Sequence, residues 1–197
     1  MRIVKTSLDQ HDALLVVDVQ RDFLPGGSLA VPGGDAVVPV LNRYLGLARG
    51  RGLTILASRD WHPENHCSFR ARGGTWPEHC VAGGAGAAFA PGLELPPDAV
   101  IVSKATGSET DAYSAFEGTG LARRLRERGV KRLLIGGLAT DYCVLNTVRD
   151  ALKEGFQVLL LEDAIRAVDV KPGDGERAER EMREAGAVPA TLEDFAP

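Results

Sequence analysis

Apolar residues along the chain are concentrated in six short runs rich in valine, isoleucine and leucine. The runs lie at residues 13–20, 53–60, 99–105, 132–139, 157–164 and, more weakly, 187–190. Continuous apolar runs of this length are typical of strands buried on both faces of a parallel sheet. The pattern therefore predicts six strands.

Helix-length segments separate most of these runs. Their apolar residues recur near the helical period, and most of them end at a glycine suited to a helix C-cap. They lie at residues 35–52, 114–129, 140–155 and 175–187. Strands that alternate with helices predict an α/β protein built from βα units.

The connection at residues 61–98 is rich in glycine and proline and is longer than a routine loop. Long loops in compact domains are usually functional or disordered. This one carries two tryptophans and three histidines: Trp61, His62, His66, Trp76 and His79. We therefore expect a functional loop, which binds a metal or a substrate.

Composition limits the classes of function. The 197 residues, 44% hydrophobic and 25% charged, are enough for one sizeable core, so we expect a single domain over residues 1–197. The net charge of −4, with acids and bases interspersed, argues against nucleic acid as a partner. We find no signal peptide and no apolar run near the roughly 20 residues that span a bilayer, which predicts a cytoplasmic protein without a membrane partner. The oligomeric state stays open, with a homo-oligomer as one alternative.

Four reactive side chains lie near the carboxyl ends of four predicted strands: Asp18, Asp60, Lys104 and Cys143. Ligands bind at this edge of open α/β sheets. The charges of Asp18 and Lys104 begin inside apolar runs, where an unpaired charge is costly, so we expect the two to pair.

Cys143 falls in the first turn of a predicted helix. The helix macrodipole and a nearby lysine would lower the thiol pKa, and free N–H groups in the same turn could hold an oxyanion. The alternative is a buried structural cysteine. The three cysteines, with no CxxC spacing, argue against a disulfide framework.

A second group of residues could bind a metal. Asp60 and His62 are two residues apart at a strand end, and His79 could fold back from the loop as a third ligand. A carboxylate and two imidazoles with open positions suit one divalent ion, Zn²⁺ first, with Fe²⁺ and Mn²⁺ as alternatives. His66 is either a fourth ligand or a residue that orients one of the other three.

Five segments in order resemble the nicotinamidase (pyrazinamidase) branch of the isochorismatase-like cysteine hydrolases. They are "DVQRDF", "DWHPENHCSF", "GTWPEHCV", "SKATGSETDAYSAF" and "GGLATDYCV". The resemblance implies a three-layer α/β/α sandwich around a six-stranded parallel sheet of order 3-2-1-4-5-6, which makes strands 1 and 4 neighbours. One departure is Ala105, where many relatives have glycine.

The resemblance also implies the chemistry. Asp18, Lys104 and Cys143 would form a catalytic triad, the N–H groups of Ala139 and Cys143 an oxyanion hole, and the bond between Leu138 and Ala139 would be cis. The reaction would be hydrolysis of nicotinamide, and of pyrazinamide, through a Cys thioester, as in NAD salvage. The metal would bind the pyridine nitrogen. The pocket walls would be aromatic: Phe23, Trp76 and Tyr113.

Three alternatives stay open at this point. The first is a related amidohydrolase or isochorismatase with a non-aromatic substrate, against which Asp60, His62 and His79 argue. The second is a metallohydrolase in which Cys143 takes no part. The third is a ligand-binding or redox-sensing protein without catalysis.

Overall fold

The computed structural model describes residues 6–195. Within them, six parallel strands form one sheet of order β3-β2-β1-β4-β5-β6, which confirms the expected topology. The strands are β1 (Asp12–Val17), β2 (Thr54–Asp60), β3 (Val100–Lys104), β4 (Arg132–Leu138), β5 (Gln157–Arg166) and β6 (Val188–Ala190). All six predicted strands are therefore present.

Helices cover both faces of the sheet and complete the three layers. They are α1 (Val37–Gly50), α2 (Leu121–Glu127), α3 (Leu145–Lys153) and α4 (Asp174–Glu184). Side chains of β1 alternate between the faces: Leu14 and Val16 pack into the core that holds α1, whereas Leu15 and Val17 pack into the core that holds the other three helices. This explains why the strands are apolar at successive positions.

Two predicted helices differ from the observed ones. The helix predicted at 114–129 forms only over α2, because Gly118 and Gly120 before it adopt positive φ angles of 70° and 68° that an α-helix does not accommodate. The helix predicted at 140–155 begins as a π-helical turn, Thr140–Val144, and becomes α-helical only at α3. Wide turns of this kind are frequent at functional sites.

The loop at residues 61–98 lies over the carboxyl edge of the sheet. Its regular elements are two single 3₁₀ turns, Arg70–Arg72 and Ala85–Ala87. One isolated bridge joins His62 to Val81 within the loop. Another joins Phe89 of the loop to Gln20, which lies shortly after β1. Backbone pairing therefore fixes this loop against the strand ends. In the described part of the chain, no helix has the length and apolar character that crossing a membrane would require.

Candidate active site

The strand order brings the four reactive side chains together. Asp18 directly follows β1, Asp60 and Lys104 are the last residues of β2 and β3, and Cys143 lies in the π-helical turn after β4. One oxygen of each carboxylate and the Cys143 sulfur lie within 4.8 Å of one another. The prediction that these residues meet at one edge is confirmed.

Lys104 is the centre of this cluster and is 1% exposed. Its Nζ lies 3.0 Å from Asp18 Oδ2 and donates hydrogen bonds to Asp60 Oδ1 and, at 3.0 Å, to the Ala112 carbonyl. Nζ also lies 3.6 Å from Cys143 Sγ. One buried ammonium therefore contacts both carboxylates and the thiol, whereas the sequence analysis expected its contacts with Asp18 and Cys143 but not the one with Asp60.

Asp18 is fully buried, and Ser58 Oγ donates a hydrogen bond to its Oδ1 at 2.7 Å. Burial raises the pKa of the Asp18 carboxyl, while the charge of Lys104 opposes that rise. Its backbone has a positive φ of 47°, which turns the chain out of the sheet at this residue. A carboxyl with a raised pKa beside a thiol is suited to accept and return a proton near neutral pH.

Cys143 differs from the sequence-based expectation in its acidity. The thiol is buried, and burial raises its pKa well above the ordinary value; Lys104 lowers the pKa, but Asp18 and Asp60 raise it further. The prediction of a low-pKa thiolate in the resting site was wrong in direction. A thiol whose pKa is raised needs a neighbouring base before it can attack.

Three acceptor atoms converge in the proposed metal site. His62 Nδ1 lies 3.3 Å from the Ala105 carbonyl and His79 Nδ1 lies 2.8 Å from the Pro77 carbonyl, so each Nδ1 carries the proton and each Nε2 presents a lone pair. These Nε2 atoms lie 3.6 and 3.9 Å from Asp60 Oδ2.

The same three residues form a buried potential metal-binding group, and His62 Nε2 is buried without a hydrogen-bond partner. Burial lowers the pKa of His79. Although burial opposes it, Lys104 holds the pKa of Asp60 well below its usual range. Two imidazoles and one carboxylate whose ligand atoms face one another fit a divalent cation.

His66 does not present a nitrogen to this site. Its Nε2 lies 3.1 Å from the Thr110 carbonyl, and its Nδ1 lies 2.7 Å from the Ser68 hydroxyl. The ring stacks on His62 with centroids 4.1 Å apart. Of the two roles left open by the sequence, this geometry favours a residue that holds His62 in place by packing.

The expected cis peptide bond between Leu138 and Ala139 is present. Ala139 and Cys143 line the same cavity, as the assignment of their N–H groups to one oxyanion hole requires. Ala105 has a positive φ of 51°, a conformation that glycine adopts without cost and alanine does not. The positive φ is a physical reason for the glycine that the resemblance implies at this position.

The cavity beside Cys143 has a mainly apolar wall that includes several aromatic rings. The three predicted wall residues all line it: Phe23, Trp76 and Tyr113. Trp76 Nε1 donates a hydrogen bond to the Tyr113 hydroxyl at 2.9 Å, which fixes the two rings relative to each other. Tyr142, which was not predicted, packs against both rings at centroid distances of 5.1 and 5.6 Å.

Two further residues near the histidines were missed. Phe69 is buried and contacts the rings of all three loop histidines, at centroid distances of 5.5 to 5.7 Å. Gln20 is fully buried and hydrogen-bonds the backbone of Asp60. Both lie inside the quoted motifs, so their positions within the motifs were the available signal.

Comparisons with known proteins agree with this geometry. Residues 12–194 match the Isochorismatase domain. The chain is 40% identical to a nicotinamidase of Escherichia coli, with 93% of this chain and 96% of the relative covered.

Two solved structures are similar throughout. One is a pyrazinamidase of Pyrococcus horikoshii in complex with zinc, with 54% identity, a TM-score of 0.89, and coverage of 92% of this chain and 99% of that one. The other is PnC1 from L. infantum in complex with nicotinate, with 37% identity, a TM-score of 0.87 and 98% coverage of both chains. With its fold, its clustered side chains and these relatives, the chain belongs to the isochorismatase family.

Proposed function

We propose that this protein is a metal-dependent cysteine amidohydrolase that converts nicotinamide to nicotinate and ammonia, and that it also hydrolyses pyrazinamide. The observation that carries the proposal is one cavity lined by the nucleophile, the metal ligands and aromatic rings that form a slot, with the base Asp18 buried next to Cys143. A flat heteroaromatic amide fits this slot, with its carboxamide toward Cys143 and its ring toward the histidines. The similar nicotinamidase and pyrazinamidase support this choice of substrate.

Acylation begins with a proton transfer within the cluster. Asp18 accepts the thiol proton of Cys143, and the sulfur attacks the carboxamide carbon to form a C–S bond. The N–H groups of Ala139 and Cys143 hold the oxyanion, a contribution of about 3–4 kcal/mol per donor in other enzymes. The C–N bond then breaks, and ammonia leaves with the proton that Asp18 held.

Deacylation reuses the same carboxylate. Asp18 takes a proton from a water molecule, which attacks the thioester carbon. The C–S bond breaks, the proton held by Asp18 returns to the Cys143 sulfur, and the acid product loses its own proton to solvent and leaves as nicotinate. Lys104 keeps a positive charge 3.0 Å from Asp18 and 3.6 Å from the sulfur, so it stabilises each anionic form as it appears.

The metal site fits one divalent ion, Zn²⁺ first, with Fe²⁺ and Mn²⁺ able to use the same ligands. Asp60 Oδ2 and the Nε2 atoms of His62 and His79 would hold it. When bound, such an ion supplies a Lewis acid for the pyridine nitrogen of the substrate. The protein itself orients the ring through Trp76 and Tyr113, whose hydrogen bond keeps the slot open.

His62→Ala and His79→Ala should each remove most of the bound metal, because two ligands do not retain a divalent ion well. The Michaelis constant should rise more for nicotinamide than for benzamide, which has no ring nitrogen. Elemental analysis of dialysed protein and steady-state kinetics provide the two measurements. His11→Ala, on a histidine that bonds the Gly129 carbonyl, is the control. Full metal occupancy in both ligand variants would contradict the assignment.

Release of ammonia from nicotinamide by the purified protein is the direct test of the proposed function. Alkylation with iodoacetamide then separates the two hydrolytic mechanisms: a cysteine hydrolase loses activity, whereas a metallohydrolase in which Cys143 takes no part keeps it. A folded, metal-loaded protein that releases no ammonia from nicotinamide or pyrazinamide would refute the proposal.

We propose that residues 1–197 form one hydrolase domain, supported by the single sheet and by the family match over residues 12–194. The cytoplasmic location and the absence of a nucleic-acid or membrane partner stay predictions.

A further inference from the structure

The backbone of Asp60 occupies an unusual place at the edge of the sheet. β1 and β2 pair in register from Ala13 and Thr54 to Val16 and Ala57. Beyond that pair, the Asp18 N–H donates to the Ser58 carbonyl at 3.2 Å, and the chain then turns away. Asp60 follows Ser58 by two residues, so its N–H and carbonyl face the same side, where β1 no longer runs.

The side chain of Gln20 fills the place of the missing strand. Its Oε1 accepts a hydrogen bond from the Asp60 N–H at 2.8 Å, and its Nε2 donates to the Asp60 carbonyl at 2.8 Å. A primary amide has the same donor and acceptor as a peptide group, so it can continue the hydrogen-bond ladder. Gln20 is 0% exposed, so water does not replace these bonds.

The same amide ties the long loop to the strand end. Gln20 Nε2 also donates to the Ala87 carbonyl at 3.0 Å, in the second 3₁₀ turn of the loop. Gln20 therefore holds together the end of β2 and the loop that carries His79.

Small rotations of Asp60 would disturb both the metal site and the cluster of side chains around Lys104. Its Oδ1 accepts a hydrogen bond from Lys104, and its Oδ2 faces the Nε2 atoms of His62 and His79. One carboxylate oxygen thus contacts Lys104 and the other faces the two histidines. Both contacts are kept only if the backbone of Asp60 keeps one orientation. Groups that orient a metal ligand in this way typically alter metal affinity when they are removed.

We propose that Gln20 is a positioning residue that sets the metal affinity of this protein by completing the sheet at Asp60. The inference rests on the proposed function only through the metal ligands, and its test needs no substrate. Removal of the amide leaves the N–H and carbonyl of Asp60 and the carbonyl of Ala87 unpaired. Asp60 then loses its fixed orientation, and the metal is bound less tightly.

The test compares Gln20→Leu with a matched control. Asn42 makes a similar double clamp, with Nδ2 donating to the Gly92 carbonyl at 2.8 Å and Oδ1 accepting from the Glu94 N–H at 2.9 Å, but neither of its partners is a metal ligand. Zinc dissociation constants are measured by competition between apo-protein and a chromogenic chelator. Gln20→Leu should raise the constant by roughly 10- to 100-fold, and Asn42→Leu should leave it unchanged.

A purely structural role would lower stability without this selective loss of metal. Gln20→Asn, whose amide is one methylene too short to reach all three partners, covers the case in which Gln20→Leu does not fold. In addition, the activity of a folded Gln20 variant should recover as the zinc concentration is raised. A dissociation constant equal to that of the wild type in the folded variant, or an equal loss in Asn42→Leu, would overturn the proposal.

Discussion

Cys143→Ser should reduce kcat for nicotinamide by roughly 10⁴-fold or more, the scale of loss when the nucleophile of another hydrolase is removed. The burial that already raises the pKa of the thiol acts on an alcohol that is far less acidic, so Asp18 cannot prepare it for attack. Cys143→Ala should be equally inactive. Both variants should fold, because each removes or exchanges only one side-chain atom, which circular dichroism can verify.

The control for this experiment is Cys67→Ala. Cys67 is partly exposed, whereas Cys80 is buried, so removal of Cys67 also eliminates the competing accessible thiol in alkylation experiments. Cys67→Ala should keep wild-type turnover and should incorporate iodoacetamide at Cys143. Substantial turnover by Cys143→Ser or Cys143→Ala would show that the metal centre acts without the sulfur, as in the metallohydrolase alternative.

The meeting of Asp18, Lys104 and Cys143 could be predicted from the sequence because strand ends are easy to locate. A short apolar run followed by a charged residue gives the position of a carboxyl edge, and parallel strands place all such edges together. The order of the strands could not be derived in this way. It depended on the resemblance, since each βα unit alone is compatible with several orders.

The acidity of Cys143 could not be predicted from its place in a helix. The helix macrodipole and one lysine argued for a thiolate. The pKa of the thiol also depends on how deeply it is buried and on a second carboxylate, Asp60, which the sequence analysis had considered as a metal ligand. Burial disfavours every charged form, and its size depends on the packed structure. The first turn is also π-helical, which the apolar periodicity does not distinguish from an α-helix.

The contacts of single side chains could not be predicted from the sequence either. His66 was left with two roles, as a fourth ligand or as a residue that orients another ligand, and only the structure shows that hydrogen bonds direct both of its ring nitrogens elsewhere. Gln20 lies in an ordinary position after a strand, and its importance arises from the departure of β1 at Asp18. Such roles depend on backbone geometry, which residue spacing does not record.

Lys104→Met should affect stability and catalysis together. Lys104 is buried among Asp18, Asp60 and Cys143, so its removal leaves two carboxylates without their ammonium. Loss of one partner of a buried ion pair typically costs about 3–5 kcal/mol, which chemical denaturation of metal-free protein should detect. Lys153→Met, on an exposed lysine of the helix that follows Cys143, should change the free energy of unfolding by less than about 0.5 kcal/mol.

The catalytic effect of Lys104→Met follows from the sign of its charge. The ammonium lowers the pKa of Asp18 and the pKa of Cys143 against the effect of burial, so both values should rise when it is removed. A larger fraction of Asp18 is then protonated at neutral pH and cannot accept the thiol proton. Turnover at neutral pH should fall by orders of magnitude, on the scale of about 10²–10⁴-fold for a lost acid–base group, and the residual activity should shift to higher pH.

Alkylation of Cys143 provides the independent measurement of that shift. In the Cys67→Ala background, the rate of reaction with iodoacetamide is followed against pH, with and without Lys104→Met. The rate follows the thiolate fraction, so the profile of the variant should move to higher pH, whereas the profile of Lys153→Met should coincide with that of the parent. Coincident profiles for Lys104→Met and its parent would show that the ammonium does not act on the sulfur, and Lys104 would then be a structural counter-ion of Asp18 and Asp60 alone.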